Sequence, residues 1–135
     1  MITSRNANVV PFIYAVEITL TASSLGSSNI TLSADSWFEL VSLDASTDQA
    51  SNQTDYNPNS FSVLITDQGT GRALSSAKIH QRNICGNACH GRFQRNSVRF
   101  APQTTLQFEF QNLVSATNNI QLSLVGYKLF GGPGV

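Results

Sequence analysis

Charge is scarce in this sequence. Acidic and basic residues together make up 12% of it, about half the share usual in a soluble domain. Ser, Thr, Asn and Gln, over a third of the residues, take their place. A neutral hydroxyl- and amide-rich exterior does not repel copies of itself, which suits a subunit that packs against neighbours. Apolar runs are short as well: none approaches the roughly 18 continuous residues of a membrane-spanning helix, so no membrane partner is expected. The N-terminal stretch MITSRNANVVPFIYAVEITLTASS lacks a charged segment followed by a clean apolar one, because Glu17 interrupts the candidate. It does not read as a signal peptide. Cysteine is limited to Cys85 and Cys89, too few for a secreted disulfide scaffold, and the chain is expected to be made in a reducing cytoplasm.

The charges that exist are segregated. From Ile2 to Asp67 the only basic residue is Arg5, against seven acids; from Gln68 to Phe108 Arg72, Lys78, Arg82, Arg92, Arg95 and Arg99 occur without an acid. Folding can interleave these halves and spread the charge, or leave a basic face for an acidic partner surface. Nucleic acid is not the expected partner, since the arginines lack neighbouring lysines and an aromatic stacking platform.

Helical periodicity is nearly missing, and alternation with period two replaces it. In PFIYAVEITLT, Phe12, Tyr14, Val16, Ile18 and Leu20 share one face. In TTLQFEFQN, Leu106, Phe108 and Phe110 oppose Gln107, Glu109 and Gln111, and in NNIQLSLVGYKLF the set is Ile120, Leu122 and Leu124. The alternation shifts at Gly126, which predicts a bulge or bend. Shorter strands are expected over residues 30–33, 36–43, 60–67 and 97–101. Turn-rich segments separate them: TASSLGSSN, the long polar stretch Asp44–Ser60, DQGTG with Gly69 and Gly71 suited to positive φ, CGNACHG and NLVSATNN. This is the pattern of a single all-β domain over residues 1–135, an antiparallel β-sandwich or jelly roll. Residues 1–9 read as an N-terminal arm and 131–135 as a flexible tail.

All soft or imidazole ligands fall in one window: His80, Cys85, Cys89 and His90. Zinc tolerates the three-residue gap between the cysteines, but adjacent Cys89 and His90 reach one ion only through a contorted loop, so metal is the minority reading. CGNACH is one residue too long for the C-x-x-C-H haem anchor. The histidines have no acid near them in sequence, no G-x-S-x-G is present, and GTGR has no lysine or helix start behind it. No enzyme and no cofactor is expected.

Two stretches, LITDQGTGRALSSAKIHQRNICG and TLQFEFQNLVSATNNIQLSLVGYKLF, carry a resemblance. A D-x-x-T-G-R turn (Asp67, Thr70, Gly71, Arg72) precedes a basic loop. It is followed by F-x-F-x-N (Phe108, Phe110, Asn112) and an amphipathic strand ending in G-Y-K (Gly126, Tyr127, Lys128). In this second half the chain resembles the small all-β cement or decoration proteins on the heads of tailed bacteriophages. The resemblance implies a jelly-roll-like sandwich that forms small homo-oligomers, dimers or trimers, and clamps neighbouring major capsid subunits. It implies a place on the capsid exterior after assembly in the host cytoplasm, and it brings no catalytic residues. The expected contacts are Arg82, Arg92, Arg95 and Arg99, with Val9, Val10 and Phe12 in a strand-addition segment running to Ile13. The alternative is a carbohydrate- or receptor-binding sandwich using Trp37, Tyr56 and the Asp44–Ser60 loop.

Overall fold

The computed structural model describes residues 8–49, 59–85 and 92–131, the side chains of 49 and 92–97 excepted. The strands are β1 (Val9–Leu20), β2 (Leu25–Thr31), β3 (Trp37–Gln49), β4 (Phe61–Asp67), β5 (Arg72–Ala73), β6 (Ile79–His80), β7 (Arg92–Phe100), β8 (Thr105–Asn112) and β9 (Asn118–Leu129). A five-residue helix, α1 (Gln81–Cys85), precedes β7. The first sheet has the order β1-β9-β3-β7; the second runs β2-β8-β4, with β5 and β6 both on the far edge of β4. Every described pairing is antiparallel. The long strands alternate between the sheets along the chain, and the last strand lies between the first and the third. That is the connectivity of a jelly roll.

The alternation predicted for β1, β8 and β9 is what fills the space between the sheets. Val16, Leu20, Leu40, Leu43, Leu122 and Leu124 from the first sheet meet Phe61, Val63, Ile65, Leu106, Phe108 and Phe110 from the second, all buried in one cluster. Phe61 meets Phe110 edge to face with ring centres 5.7 Å apart, and Phe108 stacks on Phe110 at 6.2 Å, both geometries that aromatic quadrupoles favour.

Three sequence expectations change. Residues 25–29, read as turn, form most of β2, an edge strand held through its ladder to β8. Residues 44–49, read as loop, extend β3 along β9. The irregularity predicted at Gly126 falls on the partner strand: β9 continues, while β3 shifts register between Leu40 and Ser42. The D-x-x-T-G-R pattern is turn chemistry. Buried Asp67 accepts from the N–H groups of Gly69 (2.9 Å) and Thr70 (3.3 Å) through one carboxylate oxygen. Gly71 takes φ 75 and donates to the Asp67 carbonyl at 2.7 Å, a conformation glycine adopts without steric penalty.

Candidate interaction face

One hydrogen bond sets the phase of the first sheet. Phe130 donates to the Asn8 carbonyl at 2.9 Å, in register with the β1–β9 ladder. Even-numbered residues of β1 therefore bond to β9, and odd-numbered ones turn N–H and C=O to the open side. Pro11 is odd, so its missing donor costs the ladder nothing, as expected of proline in an edge strand. The odd residues also place their side chains on the outer face, where the cross-strand pairs divide the sheet in two. At one end stand Val9–Leu129, Pro11–Tyr127, Ile13–Val125 and Ala15–Ser123; at the other, Glu17–Gln121 and Thr19–Asn119. Ile13 is 58% exposed and Tyr127 39%. The outer face of β1 and β9 is thus apolar at this end, bounded on β3 by Glu39, opposite Tyr127, and its ion-pair partner Arg99; β1 is a twelve-residue edge strand without Lys or Arg, guarded by Pro11.

The polar half is knitted by Gln121 donating to Glu17 (2.7 Å) and Thr19 to Asn119 (2.7 Å). With Asp48 and Ser46 of β3 these side chains line an open recess of about 350 Å³. Asp44 lies exposed on the same strand.

Of the expected contact residues, Val9 is half-buried and Val10 exposed within β1. The segment Val9–Ile13, expected to reach for another sheet, is laddered into its own. Phe12, 37% exposed, packs on Tyr14 with ring centres 4.8 Å apart. It also lies 4.1 Å beneath the Lys128 ammonium. Arg99 is not an isolated cation: its Nε donates to Glu39 at 2.8 Å across β3 and β7. That pair, and Lys128 with Asp35 at 3.7 Å, interleave the acidic and basic halves of the chain. Arg82 is exposed on α1. The side chains of Arg92 and Arg95, in β7, lie outside those described. Trp37 is half-buried beside Leu129; Tyr56 lies outside the described residues.

The Cys/His window is split. His80 is exposed, its Nδ1 3.2 Å from the Asn59 amide nitrogen, whereas Cys85 is buried in the core cluster. Cys89 and His90 lie outside the described residues, and no group of three or more His, Cys, Asp or Glu gathers among those described. Burial, helped by the Asp44 charge, pushes the Cys85 thiol from 9.0 up to about 12. Below about pH 9 folded and unfolded chains both keep this proton and the contribution to stability is full. Between 9 and 12 only the unfolded chain ionises, so stability falls with pH, by at most about 1.4 kcal/mol per unit. Urea midpoints at about pH 8 and about pH 10.5 are expected to diverge in the parent and to lie closer together in Cys85→Ala. Equal slopes in both proteins would dismiss the buried thiol as the cause.

No protein-family model and no curated protein matches the chain. Its structural neighbours include viral capsid proteins. The cyanophage Pam1 capsid asymmetric unit is 17% identical, with TM-score 0.44, over 90% of this chain and 85% of that one. The infectious bursal disease virus VP2 subviral particle is 9% identical, with TM-score 0.36, over 88% of this chain and 37% of that one. The Drosophila NLP-core, a structure concerned with pentamer formation and histone binding, is 14% identical with TM-score 0.37, over 85% of this chain and 97% of that one.

Proposed function

We propose that the protein is a non-enzymatic structural virion protein. It docks on the exterior of a phage capsid as a small homo-oligomer and strengthens the shell by bridging major capsid subunits. The observation that carries this reading is the apolar patch on the outer face of β1 and β9, where Ile13 and Tyr127 stand exposed. An apolar surface of this kind gains free energy only when covered, and aromatic anchors dominate such contacts. A low-charge sandwich suits a crowded lattice, in which many copies share the load. The resemblance in the second half of the chain supplies the kind of lattice.

The test is cosedimentation with capsids. Changing Ile13 and Tyr127 together to Asp is expected to weaken binding by about 30-fold or more, the effect of losing a hot spot of about 2 kcal/mol. Changing Arg82, Arg92, Arg95 and Arg99 to Ser is expected to give a smaller, salt-dependent loss. A double Asp variant that binds as the parent does would remove this face from the capsid contact. A parent that ignores capsids would end the virion reading.

A further inference from the structure

We infer that two copies of this chain join through β1, edge to edge and antiparallel about a two-fold axis, so that the first sheet of one runs on into the first sheet of the other. This deepens the homo-oligomer part of the function proposed above and rests on that part.

β1 ends the first sheet, and β9 is the one described strand it pairs with. β2, the end strand of the second sheet, packs beside it, so both sheets finish at this flank. The N–H and C=O groups of Ile13, Ala15, Glu17 and Thr19 face the open side, and among the described residues no hydrogen bond reaches them. Such a row is a template for a further strand. The inward side of β1 is apolar throughout, from Val10 and Phe12 to Ile18 and Leu20, and Phe12 remains 37% exposed there.

The residues of β1 select one register for this pairing. With Val16 on the axis beside Val16 of the partner subunit, Ala15 stands opposite the partner's Glu17 and Ile13 opposite the partner's Thr19. Each of these pairs exchanges N–H···O bonds in both directions. The inward neighbours are then Tyr14 with the partner's Ile18 and Phe12 with the partner's Leu20, apolar against apolar. Pro11 falls beside the partner's Thr21, past the end of the strand. The Thr21 carbonyl already accepts from the Ser24 N–H at 3.2 Å and from Asn112 at 2.9 Å, so the donor that proline lacks is not needed there. The next register on either side is worse. One sets Pro11 opposite the partner's Thr19, whose carbonyl loses its donor; the other sets Glu17 against Glu17 of the partner subunit, a like-charge pair.

A two-fold contact uses the same surface twice and closes at two copies. Because the sheet is extended in its own plane, the apolar patch around Ile13 and Tyr127 stays on the outer surface, available to the capsid.

Sedimentation equilibrium and amide hydrogen exchange on the full chain test this. The parent is expected to form dimers. As its concentration rises, the N–H groups of Ile13, Ala15, Glu17 and Thr19 are expected to exchange more slowly, while those of Tyr14, Val16 and Ile18, held by β9, stay slow throughout. Ala15→Pro removes one outward donor per copy and no bond to β9, as Pro11 already does. It is expected to melt as the parent does and to raise the dimer dissociation constant by about 100-fold or more, about tenfold for each of the two bonds lost by symmetry. A parent still monomeric at about 1 mM, where even weak pairs form, would overturn the inference. So would an assembly of more than two copies, a dimer whose formation leaves the exchange of those four amides unchanged, or an Ala15→Pro dimer as tight as the parent's. The parent's exchange pattern decides the matter even if the proline variant fails to fold. Capsid binding is read separately: a monomer that still binds capsids refutes the dimer alone, and a dimer that ignores them refutes the virion role alone.

Discussion

Gly126→Ala is expected to lower stability by about 3 kcal/mol or more, a large part of the 5–15 kcal/mol typical of a whole domain. Gly126 sits in β9 between Phe12 of β1 and Leu40 of β3. A Cβ there would overlap the Glu39 carbonyl oxygen, with the carbonyl carbon at 2.9 Å and the tip of the Phe38 ring at 3.1 Å. The obstacle is backbone, in the stretch where β3 shifts register, so relief requires β3 to move off β9. Gly26 is the control. The atoms nearest its Cβ would be side-chain methyl groups of Leu20 and Ile18, at 2.5 and 3.2 Å, and side chains can rotate away. Urea denaturation of both alanine variants is expected to show a much larger loss at 126 than at 26. Equal midpoints would mean that β3 does not approach β9 this closely.

The second large effect is expected at Asn112, the last residue of the F-x-F-x-N pattern. Its side chain is buried, and its amide nitrogen donates to the carbonyls of Thr21 and Ala116, both at 2.9 Å. Its oxygen accepts from the Val114 N–H at 3.1 Å. One side chain thereby ties the β1–β2 turn to the β8–β9 turn. Asn118 reaches the same oxygen at 3.4 Å and the Ser60 carbonyl at 3.4 Å, which brings in the start of β4. Asn112→Ala leaves two carbonyls and an N–H without this partner, a loss of about 3 kcal/mol at the usual 1–3 kcal/mol per stranded buried group, with partial resolvation. Asn112→Asp is expected to be worse, because a carboxylate replaces the donor that the Thr21 and Ala116 carbonyls require. Thermal melts order the three proteins; an aspartate variant as stable as the parent would contradict the network.

The strands legible in the sequence are those with one consistently buried face. Leu106, Phe108 and Phe110 in β8 alternate with polar partners, and the alternation survives folding. Residues 25–29 of β2 were not legible because its inward positions are Gly26, Ser28 and Ile30, only one of them a large apolar residue. Leu20 and Ile18 side chains from β1 occupy the space over Gly26. The last part of β3 was hidden for a similar reason: Asp44, Ser46 and Asp48 alternate with small Ala45 and Thr47, a polar composition that reads as loop. α1 is one short turn whose burial rests on Gln81 and Cys85, too brief for any period to show. The outer face was half legible. Pro11, Ile13 and Ala15 followed by Glu17 and Thr19 record its division along β1. Its other half comes from β9, more than a hundred residues away at the pairing of Val9 with Leu129, and no local pattern announces that neighbour. The partner of Arg99 was not legible either, because Glu39 lies across a ladder and not along the chain.

The position of β9 between β1 and β3 bears on how the protein is made. As the chain leaves the ribosome, β1 is the first of these strands to emerge, yet the one described strand it pairs with, β9, is the last of them to be synthesised. β3 can meet β7, and β4 can meet β8, while β1 waits with an unpaired edge on each side. Closure of the first sheet is therefore the late event of biosynthesis, and loops this long slow it further. Through that interval an apolar strand stands ready to pair with the wrong chain. Newly made copies packed on one message are the most exposed to that hazard.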